Sequence, residues 1–166
     1  MLKKLILTAA LLASATTAHA ATEFSKLRSV NFDVNNQVTY KDDRGGKDTW
    51  TIPTKYGDCE DFALLKRKVL IDRGWDPSDI KLILVVRTID LKKKKVIDYA
   101  HVMVYIPSTD TVLDIPADTQ GDYGFKKNEY TWDEYMRTRG FSPVCDIANM
   151  TEGTMSSATG RCGKRY

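Results

Sequence analysis

Residues 57–63 read Gly-Asp-Cys-Glu-Asp-Phe-Ala, and this stretch decides the fold. Asp58 is a favourable residue for a helix N-cap, and Asp61, three positions later, completes a variant of the capping box. From there apolar residues recur at helical spacing, which predicts one helix over residues 58–73. The spacing therefore places Cys59 in the first turn of the clearest helix in the chain.

The position of Cys59 both favours and opposes reactive chemistry. Unpaired backbone N–H groups and the positive end of the helix dipole stabilise a thiolate, which is the nucleophilic form of cysteine. The carboxylates of Asp58, Glu60 and Asp61 would raise the pKa of the thiol, because like charges repel. A reactive Cys59 therefore requires a compensating cation, which is an imidazolium, a bound metal ion or both. The alternative is an inert buried cysteine.

Three apolar segments after this helix predict β-strands. Residues 82–86 form a continuous run, rich in β-branched residues, of the kind that is covered on both faces of a sheet. Residues 99–106 and 111–115 follow, separated by a turn at residues 107–110, and such short links predict an antiparallel meander. The basic run Lys92–Lys95 lies between the first two segments and indicates a solvated hairpin turn rather than a binding patch.

A second helix is predicted over residues 131–139, where Thr131 and Glu134 form a capping box and Gly140 ends the helix. The segment before the first helix is polar and mixed, and it predicts only a short helix or lead-in at residues 34–38. The order of helix, antiparallel sheet and helix predicts an α+β fold.

His101 and Asp114 are the candidate partners of Cys59. His101 stands in the second predicted strand, where a lone histidine is more often structural than functional. Asp114 interrupts the apolar third strand, so its carboxylate either faces water or meets a partner. Pairing of the two strands across their turn would bring Asp114 near the level of His101. That arrangement suits a carboxylate that orients an imidazole.

The sequence of Met1–Ala20 has the pattern of a signal peptide. Lys3 and Lys4 form its basic start, residues 5–13 its apolar run and Ala18-His19-Ala20 its cleavage site. The alternative is an uncleaved anchor, but the apolar run is short for a membrane span. The roughly 145 residues that remain fit one domain with its own core. Their formal net charge falls from +3 to +1, since the segment carries two lysines and no acids. That near balance argues against nucleic acid as a partner.

Export places the mature chain in the periplasm or outside the cell, where disulfides can persist. Its three cysteines are an odd number, so one is left over if the other two pair. Cys145 and Cys162 share the Gly/Ser/Thr-rich C-terminal stretch, and a bridge between them would leave Cys59 free. The sequence thus predicts a domain over residues 21–144 and a tail over residues 145–166 that this disulfide pins.

These motifs resemble those of the bacterial transglutaminase-like cysteine peptidases, whose members include periplasmic proteases that cleave large surface adhesins. The resemblance rests on residues 48–53 and 57–63, on Lys66, and on the sequence around His101 and Asp114. It implies a papain-like or transglutaminase-like core, in which the helix that carries the cysteine packs on an antiparallel sheet.

The resemblance also implies a mechanism and a set of partners. It places a Cys-His-Asp triad on Cys59, His101 and Asp114, and it places calcium binding on Asp58 and Glu60, whose hard carboxylate oxygens suit Ca²⁺. The alternative for the two acids is helix capping and compensation of the helix dipole. A protein substrate, such as an exported adhesin, and an inner-membrane regulatory protein are the partners that the resemblance implies.

Two other functions would use the same features. A transglutaminase or amidase would use the same triad but pass the acyl group to an amine, or act on a non-protein amide. A non-catalytic module would keep the fold and use the acidic residues to bind calcium or a partner. For an oxyanion, the backbone N–H of Cys59 is one predicted donor, and Trp50 and Gln37 are candidates for the second.

Overall fold

The structure is a computed structural model, and it describes residues 21–43, 49–90, 96–115 and 129–147. The predicted signal peptide at Met1–Ala20, the predicted turn at Lys92–Lys95 and Cys162 lie outside these residues. Within the described ranges, no helix combines the length and the apolar character that crossing a membrane requires.

The described chain contains helices on both sides of an antiparallel sheet, which confirms the predicted α+β fold. The helices are α1 at residues 21–37, α2 at Cys59–Asp72 and α3 at Trp132–Arg139. The strands, in chain order, are β1 Thr39–Tyr40, β2 Tyr56–Gly57, β3 Lys81–Asp90, β4 Val96–Ile106, β5 Thr111–Leu113, β6 Glu129–Tyr130 and β7 Ser142–Asp146.

Five strands form the main sheet, in the order β6-β5-β4-β3-β7. β3 pairs with β4 from Lys81 opposite Tyr105, and β4 pairs with β5 as far as Val104 opposite Leu113. Both pairings are antiparallel, so the predicted meander is confirmed. β7, which was not predicted, pairs with the other side of β3. β1 and β2 form a separate parallel pair just before α2.

Side chains on the two faces of β3 enter two different hydrophobic clusters. Leu82 and Leu84 pack with α1 and α2 in the larger cluster, whereas Ile83 and Val85 pack with α3 in the smaller one. Successive side chains of a strand point to opposite faces, so a continuous apolar run fits only a strand with both faces covered. The prediction made for this segment is therefore confirmed.

α1 is longer than the short helix that was predicted at residues 34–38. Its buried positions Leu27, Val30 and Val34 recur every three or four residues, which is the helical period. Most of the other positions are polar, and they obscured this narrow apolar stripe. The prediction was wrong in length because the stripe matters only when the helix packs on the sheet, where tertiary burial stabilises it.

α2 begins where it was predicted to begin, but its first turn is built differently. Asp58 occupies the N-cap position, but its side chain accepts no capping hydrogen bond from the backbone of α2. The carboxylate of Asp61 accepts a hydrogen bond from the backbone N–H of Thr51 at 2.8 Å, so the predicted capping box is wrong. A Cβ atom on Gly57 would lie 2.7 Å from the Cβ atom of Asp61. A glycine is therefore needed for the chain to pass this carboxylate.

The remaining helix ends follow the prediction. The hydroxyl of Thr131 accepts a hydrogen bond from the backbone N–H of Glu134 at the start of α3. Gly74 and Gly140, which follow α2 and α3, have φ angles of 84° and 67°. Glycine adopts this left-handed conformation without a Cβ penalty, and it therefore ends helices well.

Candidate active site

His101 and Asp114 form a buried pair. Nε2 of His101 lies 2.7 Å from Oδ1 of Asp114, and both side chains are excluded from solvent. β4 carries His101, and Asp114 directly follows β5, so the antiparallel pairing of these strands brings the two residues together. The prediction that Asp114 lies near His101 is confirmed by this contact.

α3 and the backbone also hold the carboxylate of Asp114. Its Oδ2 accepts a hydrogen bond from the hydroxyl of Tyr135 at 3.1 Å and one from the guanidinium of Arg139 at 2.9 Å. Its Oδ1 accepts a hydrogen bond from the backbone N–H of Ile115 at 2.8 Å. Sequence reasoning missed Tyr135 and Arg139. Their four-residue separation, which puts them on one face of α3, was the available signal.

The pKa of Asp114 lies well below its usual range. Burial acts to raise it, but the neighbouring His101, its hydrogen bond, and the charges of Arg139 and Lys66 outweigh burial. Asp114 is therefore an ionised carboxylate, and a proton on Nε2 of His101 is directed towards it. Nδ1 is then the ring nitrogen of His101 that can accept a proton.

The main-chain carbonyl of Asp114 is bound from the opposite side. Nζ of Lys66 donates to it at 2.6 Å, and the side-chain amide of Asn35 donates to it at 3.0 Å. Burial lowers the pKa of Lys66 to about 7, although the charges of Asp114 and Glu129 oppose this shift. The sequence had marked Lys66 only as part of a motif, and Asn35 not at all. Both donors therefore belong to this site only through the fold.

Cys59 is a free thiol at the first position of α2, with 8% of its surface exposed. Its Sγ lies 3.1 Å from Oε2 of Glu60 and donates a hydrogen bond to it. Burial raises the pKa of the thiol well above its usual value, and the charges of Glu60 and Asp58 raise it further. A backbone hydrogen bond from Val102 acts in the opposite direction. The predicted effect of Glu60 and Asp58 on the thiol is therefore confirmed.

Two links join the thiol to the His101–Asp114 pair. The hydrogen bond from the backbone of Val102 brings Cys59 against β4, one residue beyond His101. Burial raises the pKa of Tyr135, whose hydroxyl contacts Asp114, and the charges of Asp114 and Cys59 add to this effect. The thiol is therefore within electrostatic reach of the group that holds Asp114. α2 as a whole packs against β4, the strand that carries His101.

An aromatic stack fixes the ring of His101. Phe141 stacks on it with ring centroids 5.6 Å apart and 17° between the planes. Tyr135 stacks on Phe141 at 5.8 Å and 10°, and Tyr130 meets Tyr135 edge-on. Such contacts restrict rotation of the imidazole, so that its two nitrogens keep their directions.

A comparison with protein families supplies the deciding observation. The family model described as bacterial transglutaminase-like cysteine proteinase matches residues 9–138. The chain belongs to this family. The protein is therefore a transglutaminase-like cysteine peptidase, as the motifs around Cys59 predicted. Searches of curated proteins and of solved structures returned no match.

Acidic residues crowd the start of the cysteine helix of this peptidase. Glu60 is 1% exposed and faces the thiol, and burial together with Asp58 and Asp43 raises the pKa of Asp61 to about 6. The hydrogen bond from the backbone of Thr51 only partly offsets that shift. No group of three or more His, Cys, Asp and Glu side chains in the described ranges could hold a metal ion. The calcium site predicted at Asp58 and Glu60 therefore stays a prediction.

Trp50 carries a buried donor close to the cysteine helix of the peptidase. It is 1% exposed and packs in the same hydrophobic cluster as Cys59, and its Nε1 has no hydrogen-bond partner among the described residues. A buried N–H without a partner costs about 1–3 kcal/mol. Gln37, the other candidate for an oxyanion donor, is exposed at the end of α1. The burial therefore favours Trp50.

Only one of the two cysteines of the predicted disulfide lies within the described residues. Cys145 lies on β7 opposite Leu84 of β3, whereas Cys162 is outside the described residues. A Cys145–Cys162 bridge stays a prediction. The free thiol of Cys59 is the state that this pairing requires.

Proposed function

We propose that the protein is an exported endopeptidase in which Cys59, His101 and Asp114 form the catalytic triad. The observation that carries this proposal is the buried 2.7 Å contact between Nε2 of His101 and Oδ1 of Asp114, beside a helix that presents a free thiol. A carboxylate that orients an imidazole is the arrangement that activates a cysteine or serine nucleophile. Burial of such a pair is costly, which favours a functional explanation.

The reaction that these positions support is acyl transfer to water. Nδ1 of His101 takes the thiol proton, and the thiolate of Cys59 attacks the carbonyl carbon of a peptide bond. The imidazolium then protonates the leaving amine, and a thioester remains on Cys59. Water, deprotonated by His101, hydrolyses this thioester and restores the thiol. The carboxylate of Asp114 accepts a hydrogen bond from the Nε2–H group of His101 throughout and stabilises the imidazolium.

The hydrogen bond between the resting thiol and Glu60 must break before the thiol can react. Its proton lies between Sγ of Cys59 and the carboxylate of Glu60, so the thiol must turn away from Glu60 to reach His101. Because burial and Glu60 both raise the pKa of the thiol, the thiolate is scarce until that turn has occurred. Binding of the substrate is the event that we propose to drive it.

Hydrolysis and amine transfer can be separated in one experiment. The mature protein is incubated with fluorescently labelled casein, with and without a fluorescent primary amine. We expect new casein fragments in both reactions and no amine attached to casein. Incorporation of the amine without fragments would contradict the peptidase proposal and favour a transglutaminase. If neither casein fragments nor amine-labelled casein is formed, the result would favour a non-catalytic module.

We propose the indole N–H of Trp50 as the second oxyanion donor, alongside the backbone N–H of Cys59. Substitution of Trp50 by phenylalanine retains an aromatic ring and removes only the donor. We expect kcat on labelled casein to fall about 100-fold, because loss of one such donor costs about 3 kcal/mol in the transition state, with little change in KM. A kcat unchanged in Trp50→Phe, with a folded protein by circular dichroism, would exclude this role.

We also propose that calcium is bound at Asp58 and Glu60, where its charge would offset the crowded carboxylates. Removal of calcium with EGTA should then lower casein hydrolysis, and added Ca²⁺, but not Mg²⁺, should restore it. In the double variant Asp58→Asn/Glu60→Gln, we expect no response to either ion. Equal hydrolysis in EGTA and in calcium would remove calcium from the proposal and leave the triad unaffected.

We propose the periplasm or the cell exterior as the location, an exported protein such as a surface adhesin as the substrate, and an inner-membrane protein as a regulator. The predicted signal peptide at Met1–Ala20 supports the location, and the resemblance to adhesin-cleaving relatives supports the substrate and the regulator. Cell fractionation of the full-length chain tests the location. Recovery of the uncut chain in the cytoplasm would contradict it.

A further inference from the structure

Lys66 is a buried cation that the proposed reaction does not use. It follows Cys59 by seven residues on α2, close to two helical turns, so both side chains lie on the face that packs against the sheet. Only 1% of its surface is exposed. A lysine is rarely buried to this extent unless a specific partner compensates its charge.

The partner of Lys66 is the main chain of the triad aspartate. The ladder between β4 and β5 ends at Leu113 opposite Val104, so the carbonyl of Asp114 lies just beyond the last paired residue. Nζ of Lys66 at 2.6 Å and the amide of Asn35 at 3.0 Å supply the hydrogen bonds that the sheet does not supply there. The nucleophile helix is thereby tied directly to the residue that orients His101.

The contact of Lys66 with the main chain of Asp114 has a higher free-energy cost than a purely structural hydrogen bond needs. Burial of an ammonium group is unfavourable, and it lowers the pKa of Lys66 to about 7. The acidic groups that face it are Asp114 and Glu129, and the side chain of Glu129 also accepts a hydrogen bond from Asn31 at 2.7 Å. A methionine would fill the same space without a charge. The presence of a lysine therefore indicates a requirement at the site rather than a gain in stability.

We propose that Lys66 is a positioning residue, whose ammonium group ties α2 to the main chain of Asp114 and so keeps the aspartate carboxylate directed at His101. Tyr135 and Arg139 of α3 hold that carboxylate from the other face of the sheet. Asp114 is thus held at its backbone and at its side chain from opposite sides. The inference rests on the proposed function, since it gives Lys66 a part in the same triad.

Substitution of Lys66 by methionine in the full chain tests the role, with Lys68→Met as the matched control. Lys68 lies on the same helix but is exposed and pairs with Asp72. We expect kcat on labelled casein to fall about 100-fold in Lys66→Met, because a displacement of about 1 Å at a reacting group has an effect of that size, while KM stays the same. Lys66→Gln, which retains an N–H donor, should recover part of the loss. Lys68→Met should match the wild type.

An NMR measurement reports on the hydrogen bond between His101 and Asp114 without a substrate. The chain has two histidines, so ¹⁵N-histidine labelling gives few ring signals. We expect the ring N–H proton of His101 to appear far downfield in the wild type and in Lys68→Met, because it is hydrogen-bonded to a carboxylate. In Lys66→Met this proton should move upfield or broaden. An unchanged signal together with an unchanged kcat would overturn the proposal.

The outcomes separate this inference from the proposed function. If the wild type and Cys59→Ala cleave casein equally, the proposed function fails, and the ring signal of Lys66→Met alone decides the role of Lys66. If Lys66→Met does not fold, Asn35→Ala replaces it, since Asn35 donates to the same carbonyl. That variant should change the same signal to a smaller extent. A wild-type signal in folded Asn35→Ala would then count against the proposal.

Discussion

Replacement of Cys59 by alanine is expected to lower kcat on labelled casein by at least about a thousandfold, because the reaction loses the atom that forms the thioester. Cys59 is largely buried and in contact with Glu60, so the variant also loses a hydrogen bond of about 1 kcal/mol. That loss is small beside the effect on activity. Steady-state hydrolysis and urea unfolding of the same preparation separate the two effects.

A chemical control complements the Cys59→Ala variant. Because burial and Glu60 raise the pKa of the thiol, iodoacetamide should react with Cys59 at neutral pH no faster than with a free cysteine. Complete alkylation at higher pH should nevertheless abolish hydrolysis. Activity that survives in Cys59→Ala, or after full alkylation of Cys59, would mean that another group is the nucleophile.

Substitution of Asp114 by asparagine is expected to damage both activity and stability. Activity should fall by about 10³–10⁴ in kcat, because the imidazole loses the carboxylate that sets its tautomer and stabilises its charged form. The free energy of unfolding should fall by about 3–5 kcal/mol, since the buried guanidinium of Arg139 loses the carboxylate that it binds and Lys66 loses one of the two acidic groups that face it. Hydrolysis and urea unfolding at pH 7 measure the two effects.

Asp110→Asn is the matched control for this variant. Asp110 lies in the turn between β4 and β5, is exposed and has a φ angle of 48°, a conformation that asparagine tolerates. The same chemical change at this position should leave kcat near the wild-type value. If Asp114→Asn lost no more stability and activity than Asp110→Asn, the buried charge network would have no energetic importance.

The stability effect of Asp114 depends on pH with a definite sign. Its pKa in the folded protein lies below the ordinary value of 3.8, so the unfolded chain binds the proton first as the pH falls. The stabilisation by ionised Asp114 is therefore full above about pH 5 and disappears as the pH falls through the folded pKa. The difference in unfolding free energy between the wild type and Asp114→Asn should shrink from pH 7 to pH 3. A constant difference would contradict the low pKa.

Local patterns predicted the parts of this protein that local physics determines. Helical spacing and a terminal glycine predicted α2, and a continuous apolar run predicted that β3 is covered on both faces. The sequence around Cys59 predicted that neighbouring acids oppose the thiolate, and Glu60 and Asp58 do raise the pKa of the thiol, although burial is the larger cause. Those inferences needed only residues that are close to one another in the sequence.

The same reasoning was weaker where a feature depends on packing. The stripe on α1 spans few residues, and its apolar side chains are informative only against the sheet that covers them. The capping box of α2 failed because the carboxylate of Asp61 has a better donor in the backbone of Thr51. A sequence shows that a carboxylate can cap a helix, but not which donor lies nearest to it.

The sequence by itself determined the family, the α+β class and the helix that begins at Cys59, and it predicted that Asp114 lies near His101. Only the tertiary structure decided how Asp114 is held. Its donors Asn35, Lys66, Tyr135 and Arg139 are separated from it by 79, 48, 21 and 25 residues. No local period connects positions so far apart. They meet because three helices converge on the end of β5, where Asn35 and Lys66 bind the main-chain carbonyl of Asp114 and Tyr135 and Arg139 bind its carboxylate. A buried charge requires such partners.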